Sequence, residues 1–258
     1  MKKFLATMLV GAMVLGCAAC NKDDDSDETT SADAEVVEVD EKSEGVMTYD
    51  EYVAAPLDSE VVIEAYVQDT QSWWNDQITV YLQDQDGGYF AYNMACSEED
   101  AAKLTPGTKI KVTGFKSEWS GEVEIIDATF EIEEGEWIAS ATDVTDKLGT
   151  DALADYQNQF VSFSGLVVEP SYDADGNEAA FLYDWDGSGA DKSDADLYFN
   201  ASVNGQTYTF VVEYYLRNES TDVYQAVTNL KVGDQIDLEG FLYWYEGAQP
   251  HVTAVTFG

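Results

Sequence analysis

The chain has 258 residues, of which 51 are acidic and 12 are basic, so its formal net charge is −39. This charge disfavours nucleic acid as a partner, because binding to a phosphate backbone needs clustered Lys and Arg. One histidine and three cysteines leave little material for a zinc site, a disulfide framework or a catalytic set of the Ser/His/Asp or Cys/His type. We therefore expect no nucleic-acid partner and no enzymatic activity.

Residues 1–20 have the layout of a secretory signal peptide. Two lysines precede an apolar run from Phe4 to Leu15 that is too short to span a bilayer, and small residues and cysteine follow it. The segment resembles the signals of bacterial lipoproteins, in which a cysteine behind an apolar-small-small triplet receives the lipid. Cys17 has the better apolar residue before it, whereas Cys20 has the better small pair and is favoured because the polar segment begins directly behind it. A cleaved signal without a lipid is the alternative.

The resemblance implies a lipid-anchored protein on the extracytoplasmic face of a cell membrane, with the membrane as a partner through the anchor. Residues 21–46 are acidic and contain no aromatic side chain. Such a segment buries too little apolar surface to order itself, and its charges repel one another. The sequence thus predicts a disordered acidic tether between the membrane and the folded part of the chain.

An internal duplication organises the remaining chain. The pattern from Leu104 to Phe115 returns from Leu230 to Phe241, with leucine, two glycines, isoleucine and phenylalanine at matching places. A fixed offset over this many positions indicates a repeat. We therefore predict a first domain at 47–137 and a second domain at 138–258.

The first repeat reads as five strands with one helix between the third and the fourth. Thr48 and Glu51 form a capping-box pattern that predicts a short opening helix, and Ser97 is placed to cap the helix between the strands. Alternating apolar residues predict strands near 61–67, 78–82, 89–94, 110–114 and 123 onwards. This order is that of an oligonucleotide/oligosaccharide-binding (OB) fold, a five-stranded Greek-key barrel.

The chain resembles the OB-fold domains of secreted bacterial lipoproteins over nearly all of its length after the tether. The expected fold class is all-β with short helices, built as two tandem OB-fold-like barrels. In the second repeat we expect a lead-in helix at 143–156, an acidic insertion at 169–194, a long third strand at 207–216 and a helix capped by Ser220. The insertion accounts for the greater length of this repeat.

Aromatic residues gather in the predicted loops that join strands one to two and four to five, where OB folds often bind ligands. The residues are Trp73, Trp74, Trp119, Trp185, Trp244 and Tyr245. Exposed rings beside acids and amides suit stacking on a sugar, a peptide side chain or another apolar surface. The competing interpretation is that these rings close the barrel ends or pack one repeat on the other.

The insertion contains a partial calcium-loop pattern. Asp184, Asp186 and Ser188 supply oxygens at positions 1, 3 and 5, and Gly189 stands at position 6. The Glu expected at position 12 is replaced by Ala195, which Asp194 and Asp196 flank. We expect either a lax calcium site or an acidic solvated loop with no cofactor.

These features favour a non-enzymatic, lipid-anchored binding protein of the cell envelope that presents aromatic loops to an extracellular carbohydrate, peptide or protein. One alternative is a structural spacer or accessory envelope lipoprotein without a small-molecule ligand. Another is a carboxylate- or calcium-dependent hydrolase. Cys96 is expected to be an inert buried thiol, and His251 is expected to pack in the fold or lie at the surface.

Overall fold

Residues 42–189 and 194–258 are described by the computed structural model. The predicted signal peptide, both candidate lipidation sites (Cys17 and Cys20) and most of the tether lie outside the described residues. The predictions about them therefore stay predictions. Within the described ranges no helix has the length and apolar character needed to cross a bilayer.

The first repeat forms a closed barrel of five strands in the order β1-β2-β3-β5-β4. The elements are α1 (Tyr49–Ala54), β1 (Glu60–Thr70), β2 (Gln77–Gln83), β3 (Gly88–Ala95), α2 (Glu98–Ala101), β4 (Thr108–Trp119) and β5 (Glu122–Glu136). The predicted capping box is present, since Thr48 accepts from the Glu51 backbone and the Glu51 side chain accepts from the Thr48 backbone. The order predicted from the sequence is thereby confirmed.

The repeated pattern places a glycine on β4 where this strand lies close against β5. A Cβ atom at Gly114 would lie 2.7 Å from the Ile125 side chain and 2.8 Å from the Ile126 carbonyl oxygen. Only glycine allows β4 and β5 to approach this closely. On β1, Val61, Ile63 and Ala65 alternate into the barrel and are fully buried.

The second repeat forms a second closed ring of five strands, β7-β11-β12-β14-β13, in which β11 also pairs with β7. Its elements are β6 (Thr142–Asp143), β7 (Phe160–Glu169), β8 (Ser171–Tyr172), β9 (Glu178–Ala179), β10 (Leu182–Tyr183), β11 (Leu197–Val203), β12 (Gln206–Val212), α3 (Asp222–Thr228), β13 (Gln235–Phe241) and β14 (His251–Phe257). Two tandem OB-fold-like barrels are therefore present, as predicted. The insertion adds the β8–β9 hairpin and the short edge strand β10.

Three local predictions for the second repeat need correction. The expected α-helix at 143–156 consists of β6 and two short 3₁₀ segments, because Gly149 adopts φ +76 and ends the first of them. The third strand of the second repeat stops at Val212, since the Glu213 carboxylate accepts from the backbone of Tyr215 and Leu216 and turns the chain. The N-cap of α3 is Thr221 and not Ser220.

The end of the predicted tether is also corrected. Residues 42–46 lie against the first barrel and are not free of it. The Lys42 ammonium donates to the Asp84 carboxylate at 2.8 Å, and this pair is largely buried. Asp84 in turn accepts from the Gly87 backbone and the Tyr89 hydroxyl. Residues directly before α1 are thus held against the first barrel.

Candidate functional site

The outer face of strands two and three, where OB folds often bind ligands, is covered in the first barrel. Tyr81 on β2 and Phe90 on β3 face outwards from that barrel, yet they are only 1% and 2% exposed. They form an apolar cluster with side chains of the second repeat. The members from the second repeat are Phe160, Leu216, Phe241 and Tyr243.

Ring contacts define the geometry of this contact between the barrels. Tyr81 stacks on Phe241 with centroids 4.4 Å apart, and Phe90 meets Tyr243 edge-on at 5.4 Å. Paired aromatic rings at such distances add to the free energy gained from burial. The usual ligand face of the first barrel is therefore used to bind the second barrel.

His251 belongs to the same contact. Its Nδ1 lies 2.7 Å from the Tyr81 hydroxyl, and its ring stacks on Tyr243 at 4.1 Å. Complete burial lowers the pKa of His251 to about 3, so the ring is neutral at pH 7. His251 thus packs between the repeats. Of its two predicted places, in the packed fold or at the surface, the first is the one observed.

Polar contacts surround the aromatic cluster. The Phe160 backbone donates to the Gln83 side chain at 2.7 Å, and the Asn158 amide donates to the Val123 carbonyl at 2.9 Å. Arg217 forms an ion pair with Asp69 of β1. Each of these contacts joins a residue of one repeat to a residue of the other, so backbone and side-chain groups at the rim of the cluster are satisfied across the contact.

The contact is not symmetric, because different surfaces of the two repeats meet. Where the first barrel has the cross-strand pair Tyr81 and Phe90, the second has the pair Asn200 and Thr209. The Thr209 hydroxyl donates to the Asn200 side chain at 2.9 Å. A head-to-tail contact of this kind could continue from barrel to barrel. Asn200 and Thr209 carry no aromatic rings, so the second barrel lacks the rings with which the first barrel binds its neighbour.

The loops that join strands four and five of the two repeats lie together. The Glu246 backbone donates to the Ser120 carbonyl at 2.7 Å, and Trp119 lies 5.2 Å from the ring of Tyr245. Trp244 packs over Gly121, where a Cβ atom would meet the indole at 2.8 Å. Three of the six predicted aromatic residues, Trp119, Trp244 and Tyr245, are thus brought to one place.

The other three aromatic residues do not join this group. Trp73 packs on the core of the first barrel, and its indole donates to the Cys96 carbonyl at 2.8 Å. Trp74 and Trp185 are 72% and 75% exposed and lie in separate loops. Trp73 and Trp244 fit the competing interpretation. Trp73 packs on the core of its own barrel, and Trp244 packs against the other repeat.

Replacing Trp73 with alanine is expected to lower the free energy of unfolding by about 2 kcal/mol, because packing on the core and a hydrogen bond are both lost. Replacing the neighbouring Trp74 is expected to change it by less than about 0.5 kcal/mol, since its ring is solvated. Urea denaturation of both variants measures the difference. Equal losses for the two would contradict the assignment.

The predicted calcium ligands have local partners. Asp186 accepts from the Ser188 backbone at 2.9 Å, and Asp196 accepts from the Tyr214 backbone at 2.8 Å. Asp184 reaches Asp196 through a backbone hydrogen bond. Within 42–189 and 194–258, no three His, Cys, Asp or Glu side chains are grouped so that they could hold a metal ion. Residues 190–193 lie outside the described part between these ligands and Asp194, so calcium binding stays a prediction.

Two groups of residues were missed by sequence reasoning. The first comprises Tyr81 and Phe90, which looked like ordinary strand residues, and Tyr243, which follows β13. The second is Glu122, a fully buried carboxyl between the repeats. Burial raises its pKa to about 8, against hydrogen bonds from the Trp244 backbone and the Gln157 amide that lower it. The one sequence signal was an aromatic residue at an outward-facing strand position. The sequence does not show whether such a residue is buried under another domain or exposed to solvent.

Comparison with known proteins found distant structural similarity. No protein-family model and no curated protein matches the chain. Similar solved structures include a murine DNA-binding protein bound to double-stranded DNA, with 11% identity and a TM-score of 0.37 over 76% of this chain and 93% of that one. The Ifi202 HINa domain in complex with 20-bp double-stranded DNA has 12% identity and a TM-score of 0.34 over 78% and 98% of the two chains.

These findings run against two predictions. These two structures are DNA complexes, whereas we predicted an extracellular carbohydrate, peptide or protein ligand and no nucleic-acid partner. Neither prediction is kept. At 10–12% identity and TM-scores below 0.5, the likeness does not transfer DNA binding to this chain.

Proposed function

We propose that the chain is a non-enzymatic lipoprotein on the extracytoplasmic face of a bacterial cell membrane, in which two OB-fold-like barrels act as a single unit. The lipid is attached to Cys20 of the mature chain, with Cys17 as the other register. The lipoprotein-like pattern of residues 1–20 supports the anchor. The acidic segment behind it supports separation of the folded part from the membrane surface.

The proposal that the two barrels act as a single unit is supported by the contact between them. This contact occupies the face on which OB folds often bind ligands. With Tyr81 and Phe90 buried under the second repeat, neither of these two rings is open to a ligand. The buried rings, the His251 contact and the polar rim all join residues of different repeats. The first barrel therefore serves to position the second, and the proposal assigns no ligand to either.

The side chains most suited to catalysis support a non-enzymatic role. His251 is enclosed and neutral, so it is not available as a general base. Burial also raises the pKa of the Cys96 thiol, which is the opposite of what a nucleophilic cysteine needs. The charge of Asp100 raises that pKa further.

The anchor is tested by labelling cells that express the full chain with a radioactive fatty acid. We expect label in the wild type and in Cys17→Ser, and loss of label in Cys20→Ser. Loss of label in Cys17→Ser alone would assign the lipid to Cys17. A wild-type protein that takes up no label and is released into the medium would contradict the anchor, whatever the two variants do.

A further inference from the structure

We propose that the contact between the two barrels is a pH-sensitive latch, closed while the Glu122 carboxyl is protonated and loosened when it ionises. Glu122 begins β5 of the first repeat, and its side chain is fully buried against the second. Its Oε2 accepts from the Trp244 backbone at 2.9 Å and from the Gln157 amide at 3.2 Å. Both donors belong to the second repeat, so the carboxyl lies in the contact itself.

The remaining oxygen of this carboxyl has no partner. Oε1 of Glu122 is buried and accepts no hydrogen bond within the described residues. An ionised carboxylate needs about four hydrogen bonds or a paired cation to replace its hydration. Two donors to one oxygen do not meet that need, whereas a neutral carboxyl is much less demanding.

Among residues 42–189 and 194–258, the groups shown to couple electrostatically to Glu122 carry no positive charge. Glu124, two residues along β5, is a second largely buried acid whose charge opposes ionisation. The titratable groups that sense Glu122 from the other elements are all tyrosines: Tyr52 of α1, Tyr81 of β2 and Tyr243 behind β13. Burial raises the pKa of each tyrosine, so all three are neutral at physiological pH. The hydrogen-bond donors to the carboxyl, the Trp244 backbone and the Gln157 amide, are uncharged.

The sign of the pH effect follows from this environment. Burial raises the pKa of Glu122 from 4.5 to about 8, so the closed contact binds the proton more tightly than an open, hydrated contact does. The closed state therefore has its full stability below pH 4.5 and loses stability as the pH rises towards 8. Opening the contact hydrates the carboxylate, which is why loosening occurs here and not inside either barrel.

Hydrogen exchange of single amides tests the latch on the intact folded chain. The Trp244 and Phe160 amides donate across the contact, whereas the amides of β4 report on the first barrel alone. After correction for intrinsic exchange, we expect opening at Trp244 and Phe160 to increase by up to about tenfold per pH unit between pH 5 and 8. The β4 amides should keep their protection over the same range.

Two variants separate the latch from a general effect of pH. Glu122→Gln keeps an acceptor for Trp244 but cannot ionise, so the rise in opening should disappear. Glu118→Gln removes an exposed acid of the same hairpin and should leave the rise unchanged. A wild type without a pH-dependent rise at Trp244 and Phe160 would overturn the latch. Loss of β4 protection in step with those amides, or an unaltered rise in Glu122→Gln, would overturn it equally.

Discussion

Replacing Phe241 with alanine is expected to lower the free energy of unfolding by about 3–5 kcal/mol, the range for a buried phenylalanine. Phe241 is 2% exposed and contacts Tyr81 at 4.4 Å and Phe160 at 5.4 Å between ring centroids. Its removal leaves a cavity in the cluster that joins the barrels. Urea denaturation followed by circular dichroism measures the loss, and we expect the single transition to broaden or split as the barrels lose their coupling.

The duplication supplies the matched control. Phe115 holds the same place in the repeated pattern but is 43% exposed, so Phe115→Ala should cost less than about 1 kcal/mol. The two variants remove the same side chain from the same strand of two similar barrels. Equal costs would mean that the contact between the barrels contributes little to stability.

Adding a methyl group at Gly88 is expected to force the repeats apart. A Cβ atom there would lie 2.3 Å from the Asn158 carbonyl carbon and 2.5 Å from the Gln159 nitrogen. Both are backbone atoms of the second repeat, so no side-chain rotation relieves the overlap. We expect Gly88→Ala to lower stability by about 3 kcal/mol or more and to raise protease cleavage near 157–160, measured by urea titration and limited digestion.

Gly176→Ala is the control for the substitution itself. Gly176 has φ +83 and open space around its Cα, so alanine costs about 1 kcal/mol from backbone strain without touching the contact. Cleavage near 157–160 should then stay at the wild-type level. Increased cleavage in both variants would show that the segment responds to any loss of stability.

The barrels could be predicted because their signals are local. Val61, Ile63 and Ala65 alternate along β1 and face the core, whatever lies outside the barrel. The capping box of Thr48 involves only residues within one helical turn. The lead-in helix at 143–156 was wrong because its short segments are shaped by Gly149 and by contacts with β7. The spacing of apolar residues reveals neither the effect of Gly149 nor the contacts with β7.

The candidate site could be predicted only in part. Trp119, Trp244 and Tyr245 were expected in equivalent loops, but nothing in the sequence indicated that the two loops touch. Trp73 and Trp74 are adjacent and chemically identical, yet one packs on the core and the other is solvated. Their difference depends on which way each side chain leaves the loop, and only the folded backbone determines that.

The sequence by itself determined the charge, the duplication, the order of strands in each barrel and the lipoprotein-like pattern at the N-terminus, since each depends on composition or on neighbours along the chain. The tertiary structure alone decided that Phe241 is buried while Phe115 is not, and that Tyr81 serves as a partner for the second repeat. The physical reason is that burial at an outward-facing strand position depends on the surface of another domain, which is distant in sequence. Glu122 shows the same dependence, because an acid that would be solvated on a single barrel becomes enclosed when two barrels meet.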